Sequence, residues 1–149
     1  MELRLILQRV KTAKVLINEK VFSSIGNGIA VFLGITNDDD ITDIKYSIEK
    51  LINLRIFSDS DGKLNLSLLD VKGELMIVSN FTVYGNTKKG RRPSYTESAD
   101  PKTAENLYNL FLDELSKYEV SFKTGIFREH MNVALENDGP VTLIIDSKN

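Results

Sequence analysis

Apolar residues in this 149-residue chain fall into short runs and alternations more often than into helical stripes. Leu3 to Val10 and Ala13 to Ile17 are dense in Val, Ile and Leu and read as strands, with Asn18-Glu19-Lys20 turning the chain after them. Ile29-Ala30-Val31-Phe32-Leu33 is a continuous apolar run, the pattern of a strand buried on both faces. The period then changes. After Asp38-Asp39-Asp40, the residues Ile41, Ile44, Ile48, Leu51 and Ile52 form a 3.6-residue stripe, and three carboxylates at a helix start suit the N-terminal dipole. A second helix is predicted from Asp100-Pro101, a capping residue followed by proline at the first helical position, with Ala104, Leu107, Tyr108, Phe111 and Leu115 on its apolar face. Leu64, Leu66 and Leu68 alternate, and strands at Met131 to Leu135 and Val141 to Ile145 finish the chain. Strands outnumber helices and follow one another like hairpins. The expected fold is therefore α+β: a curved, largely antiparallel sheet or partly closed β-barrel with two packed helices, in one domain spanning residues 1–149.

Composition narrows the function classes. A formal net charge of −2 means that any RNA-binding role must rest on a local patch. With no cysteine, disulfides and thiolate chemistry are excluded, in keeping with a reducing cytoplasm. No apolar run approaches the roughly 20 residues of a membrane span, and charge within the first strand argues against a secretory leader.

Two motif-like features resolve into turns. Gly26-Asn27-Gly28 precedes a strand instead of joining a strand to a helix, so it lacks the context of a phosphate-binding loop. Asp59-Ser60-Asp61-Gly62 resembles the start of a calcium loop, but Leu64 and Asp70 stand where glycine and glutamate are required.

Three segments can carry chemistry. From Leu75 to Thr82 strand alternation would put Asn80 and Thr82 on one side of a strand end and Ser79 and Phe81 on the other. Taken alone, such a polar cluster also fits a strand fraying into a turn. Gly139-Pro140, inside Asn137-Asp138-Gly139-Pro140-Val141-Thr142, removes one side chain and one N–H, so neighbouring carbonyls can line a pocket; a plain turn fits equally. Lys88-Lys89-Gly90-Arg91-Arg92 places four cations on a glycine-broken loop between Tyr84 and Tyr95, either a phosphate contact or a solvated loop. His130, the one histidine, has no motif to orient it and reads as a strand residue.

Ser79-Asn80-Phe81-Thr82 and Asn137 to Thr142 together resemble the paired signature of the D-aminoacyl-tRNA deacylases, and the resemblance runs from Leu7-Gln8-Arg9-Val10 to the last strand. It implies a curved antiparallel sheet with two helices and hydrolysis of the ester between a D-amino acid and tRNA, with glycyl-tRNA as a further substrate. No cofactor or metal is implied. The active unit would be a homodimer in the cytoplasm, in which a cis Gly139-Pro140 loop, with Val141 and Thr142, enters the other subunit's pocket and rejects L-amino acids sterically. Arg9 would brace that loop. Lys88, Lys89, Arg91 and Arg92 would contact the tRNA backbone. Thr82 has been regarded as the family's nucleophile; lacking an adjacent base, it is read here as a positioning residue, with the substrate's ribose hydroxyl directing water and N–H groups near Phe81 and Thr82 holding the oxyanion. Asn80 stands where the family usually has glutamine. Two other classes fit the residues: an RNA-binding barrel without catalysis, and a threonine-dependent esterase or amidase acting on small molecules.

Overall fold

The computed structural model describes residues 3–148; Met1, Glu2 and Asn149 of the expected domain lie outside the described residues. Eight strands and three α-helices follow the order β1 (Arg4–Ile17), β2 (Lys20–Ile25), β3 (Gly28–Gly34), α1 (Ile41–Asn53), β4 (Phe57–Ser58), β5 (Leu64–Leu66), α2 (Leu68–Val71), β6 (Glu74–Ser79), α3 (Pro101–Leu115), β7 (Ser121–Thr124) and β8 (Asn132–Asp146). A 3-10 turn, Phe81–Tyr84, lies between β6 and α3.

β1 organises the main sheet. One side pairs antiparallel with β8 along almost its whole length, while the other pairs with β3 through Val10 and with β2 from Ala13 onward. The sheet continues from β3 to β6 to β7, and Ser23 Oγ donates to the Thr124 carbonyl at 2.7 Å, bringing β7 back towards β2. The result is a nearly closed barrel. It is mixed: the three pairings of β1 are antiparallel, so most of the sheet is antiparallel as expected, while β3–β6 and β6–β7 are parallel pairs. Parallel neighbours require crossovers, and α1 with its following segment and α3 supply them.

Both faces of β3 are buried. Ile29, Val31 and Leu33 join Leu3, Leu5, Leu7, Leu75 and Ile77 against Ile44, Ile48, Leu51 and Ile52 of α1 and Phe111 and Leu115 of α3. Ala30 faces Val10, Ala13, Val15, Met76 and Val78 inside the barrel. Each large side chain so buried contributes about 1.5–3 kcal/mol of apolar transfer.

Local chemistry sets the ends. Asp40 caps α1 by accepting from Thr42 N and Asp43 N, and Asp43 answers by accepting from Asp40 N at 2.9 Å. Of the three consecutive aspartates only this one caps; Asp39 turns inward and accepts from Thr36 N at 2.7 Å. Asp100 caps α3 through Thr103 N, with Pro101 at the first position. Gly28 lies against the strand start at Glu74, whose carbonyl oxygen would sit 1.8 Å from an added Cβ, so close strand approach accounts for that glycine.

Three further elements differ from expectation. Leu68 belongs to the short helix α2, capped by Ser67, instead of continuing an alternating strand. β7 comes from a segment in which no strand was expected. The two C-terminal strands are one, β8, interrupted by a bulge.

Candidate functional site

Four hydrogen bonds shape the end of β6. Ser79 closes the strand, the Asn80 N–H donates to the Leu33 carbonyl at 2.9 Å, and the chain then tightens into the 3-10 turn. The Asn80 side chain caps that turn: Oδ1 accepts from Thr82 N at 3.2 Å and from Thr82 Oγ1 at 2.5 Å. Strand alternation therefore ends at Ser79, not at Thr82. The local capping offered by a short Asn side chain competes with the pleat and wins. Ser98 Oγ donates to the Phe81 carbonyl at 3.0 Å and ties the turn to the segment before α3. The Phe81 N–H, at the start of the turn, has no protein acceptor among the described residues.

Ser79, Asn80, Phe81 and Thr82 all line a cleft of about 660 Å³. Its walls are mainly apolar, with Phe32, Val78, Tyr95, Phe127 and Met131 prominent, and Phe81 meets Tyr95 edge-on with ring centroids 5.0 Å apart. His130 lines the same cleft from the turn before β8, exposed and outside any strand, which corrects its assignment to one. It makes no hydrogen bond to Thr82 among the described residues. The Thr82 hydroxyl instead points its proton at an amide oxygen, which cannot act as a general base at neutral pH. Phe127 to Met131 and Ser98 are lining residues that the sequence reading did not identify. They lie in loop segments where neither period nor motif marks a cleft.

Gly139-Pro140 is a cis peptide in the bulge of β8. Pairing runs Gln8 with Thr142, then Val10 with Asn137, so the residues between Asn137 and Thr142 arch out of the ladder. The arch is firmly held. Asn137 Nδ2 donates to Gln8 Oε1, Val141 N donates to Asn137 Oδ1 at 2.8 Å, and Thr142 Oγ1 donates to Gln8 Oε1 at 2.9 Å. Arg9, buried, donates from Nε to the Asp138 carbonyl at 2.9 Å and from Nη1 to the Ile56 carbonyl at 2.7 Å. Gly139 has φ of 137°, and a Cβ there would lie 3.1 Å from Arg9 Nη2, so both backbone and space favour glycine. Gly139, Pro140, Val141 and Thr142 do not line the cleft at Ser79–Thr82 of their own chain.

Lys88, Lys89, Arg91 and Arg92 are all exposed at the tip of a loop pinched by the Asn86–Ser94 backbone pair, with Gly90 at φ of 67°. No ion pair engages them among the described residues. Tyr95, one residue beyond the pinch, lines the cleft, so the cationic loop is rooted at its rim. In the calcium-like turn, Asp59 accepts from Lys63 N, Asn65 Nδ2 and Asp61 N; these bonds, led by the Lys63 amide, hold its carboxyl below the ordinary value. Among the described residues no three His, Cys, Asp or Glu side chains gather where a metal ion could be held. Among the same residues no helix is long and apolar enough to cross a membrane.

These features define a class of small α+β proteins with a nearly closed barrel, a cleft at a strand end offering backbone amides and hydroxyls, and a cationic loop at its rim. The chain belongs to the D-Tyr-tRNA(Tyr) deacylase family, whose model matches residues 6–146. It is 56% identical over 146 residues to the D-aminoacyl-tRNA deacylase of Thermosipho africanus, covering 98% of each chain. The D-aminoacyl-tRNA deacylase of Carboxydothermus hydrogenoformans is 51% identical over 144 residues, 97% of this chain and 99% of that one. Among solved structures, the c-Myc DNA unwinding element binding protein superposes with a TM-score of 0.92 at 36% identity, covering 98% of this chain and 99% of the other.

Proposed function

We propose that this chain hydrolyses the ester bond of D-aminoacyl-tRNA, releasing D-amino acid and tRNA, as a chiral proofreading enzyme of translation. The observation that carries the reading is the cleft at Ser79–Thr82, with its free Phe81 N–H, in a chain of the D-Tyr-tRNA(Tyr) deacylase family. Water is the nucleophile. The substrate's terminal ribose hydroxyl orients it, the Phe81 N–H stabilises the developing oxyanion, and Thr82 positions the ester through its hydroxyl oxygen, whose proton is committed to Asn80. Thr82 N is tied to the same amide oxygen, so Phe81 is the stronger of the two oxyanion donors.

The Gly139-Pro140 arch acts across a homodimer. Its side-chain-poor backbone reads the α-amino group in the partner's cleft and leaves no room for an L side chain, with Val141 and Thr142 supporting it and Arg9 bracing Asp138. Support for action in trans is that the arch is rigidly held yet absent from its own chain's cleft. Lys88, Lys89, Arg91 and Arg92 contact the tRNA backbone. The enzyme works in the cytoplasm, and glycyl-tRNA is a second substrate because glycine presents no side chain to reject.

The test is deacylation of D- and L-aminoacyl-tRNA side by side. Turnover of the D-ester with the L-ester spared is expected. Protection of both esters would favour a non-catalytic RNA-binding module, and turnover of small esters with strict dependence on Thr82 would favour a threonine esterase.

A further inference from the structure

Of the ionisable groups that line the cleft, Tyr95, Arg128, Glu129 and His130, only Arg128 is a permanent cation, and the mechanism above makes no use of it. Arg128 sits in the turn between β7 and β8, where the Glu129 N–H donates to the Ile126 carbonyl at 3.2 Å. Its φ is 66°, the left-handed region that a side-chain-bearing residue occupies when its surroundings hold it there. The holding group is its neighbour. Phe127 packs on Tyr108 with ring centroids 5.6 Å apart and rests against the main core, which fixes the turn and leaves the arginine outside. Arg128 is exposed and makes no ion pair or hydrogen bond among the described residues. Neither packing nor pairing within the chain therefore accounts for a guanidinium at this place.

The substrate offers a partner, on the reading that the cleft takes an aminoacyl-tRNA end. The ester must lie at Ser79–Thr82, and a cleft of about 660 Å³ has room for a nucleoside beside the amino acid. The next group along the strand is a phosphodiester, which leaves the cleft at its rim. A guanidinium fork matches two phosphate oxygens in a way an ammonium does not. The adjacent Glu129 lowers the local positive field, so the attraction is short-ranged and suits one phosphate, unlike the four-cation loop at Lys88–Arg92.

We propose that Arg128 is a positioning residue that binds the phosphodiester linking the last two nucleotides of the substrate, thereby setting how deeply the terminal nucleoside and its ester enter the cleft.

The experiment compares wild type with Arg128→Gln and Arg128→Lys on two substrates: a D-aminoacyl-tRNA, and the same D-amino acid esterified to adenosine, which has no phosphate. For Arg128→Gln, KM for the tRNA ester should rise roughly three- to tenfold, the range of one solvent-facing charged contact. The slope of log KM against log salt should flatten by about 0.7, one single-strand phosphate. The adenosine ester should show no such defect, and lysine should restore part of the tRNA effect. An equal loss on both substrates would overturn the proposal by showing that Arg128 shapes the cleft; no change on either would overturn it by showing a solvated side chain. Melting temperatures close to wild type are expected, because the side chain is exposed. If wild type turns over neither ester, the deacylase reading falls and this proposal falls with it; wild-type turnover with an indifferent variant defeats this proposal alone.

Discussion

Asn80 carries its amide one methylene closer to the backbone than a glutamine would, and the structure gives that length a consequence. The shorter side chain reaches back two residues and takes both polar groups of Thr82. Asn80→Ala should remove a cap and lower stability by about 0.5–2 kcal/mol, measurable by chemical denaturation. Thr82→Ala tests the chemistry. A positioning contact of this kind is worth about 10²–10³-fold in rate, well short of losing a covalent nucleophile. Residual turnover above background is expected, and mass spectrometry of quenched reactions should find no acyl group on Thr82. An acyl-Thr82 adduct in wild type would assign the nucleophile to the protein. At this scale the sequence marks candidate residues by type and is silent about how they are arranged. Thr82 and Asn80 stand out by type, but that Asn80 would bond Thr82 depends on a turn that strand alternation does not foresee.

Elements were legible where their pattern is local. The α1 stripe and the Asp100-Pro101 start of α3 depend on residues within a few positions of one another; both hold, except that Ile41, at the first position of α1, is exposed. Parallel pairing of β3 with β6 was not legible, because partner choice is made across α1 and some forty residues of chain. Gly139-Pro140 has the pattern of a strand terminus and so predicts two strands, whereas the bonds of Asn137 and Arg9 carry β8 through it. The basic loop is an element that can be changed without touching the core. Replacing Lys88, Lys89, Arg91 and Arg92 with serine should weaken tRNA binding and flatten its salt dependence, each lost contact removing about 0.7–0.9 from the slope, with D/L preference unchanged. Filter binding over a salt series decides this, and wild-type affinity and slope would make the loop a solvated turn.

A third element, the start of α1, predicts acid behaviour. Burial pushes the Asp43 carboxyl up, but the Asp40 N–H, the Ser147 hydroxyl and Lys148 outweigh it and hold Asp43 below its ordinary value of 3.8. Its ionised contacts thus stabilise the fold above that pH and are lost as pH falls through it and below. Asp39, beside it and also facing Lys148, works in the opposite sense: burial raises its carboxyl, so the fold gains from its protonation as pH falls. Asp43→Asn should lower stability at neutral pH and narrow the gap to wild type under acid conditions, as read from denaturant midpoints across pH 2–7. A gap that stays constant with pH would show that the Asp43 charge contributes nothing.

At the scale of the whole molecule, β8 leaves an unpaired edge. Among the described residues it pairs only with β1, and Leu143 and Ile144 are exposed on it, Ile144 at 61%. Together with an arch that avoids its own cleft, this edge favours a dimer. Light scattering should give twice the chain mass. Mixing a Thr82→Ala chain with a Pro140→Ala chain, each impaired alone, should recover activity, because a mixed dimer contains one site with both parts intact. Monomeric protein with full activity would refute assembly of the site across subunits.

The central position of β1 also bears on synthesis. It leaves the ribosome well before its long partner β8, which lies more than a hundred residues later, and Arg4 waits for Asp146. Until β8 emerges, one whole edge of β1 has no partner, and the apolar residues of the barrel interior lack a wall. Nascent chains stalled before Asn132 should therefore be protease-sensitive and prone to associate through that edge, while release of the complete chain brings protection in a single late step.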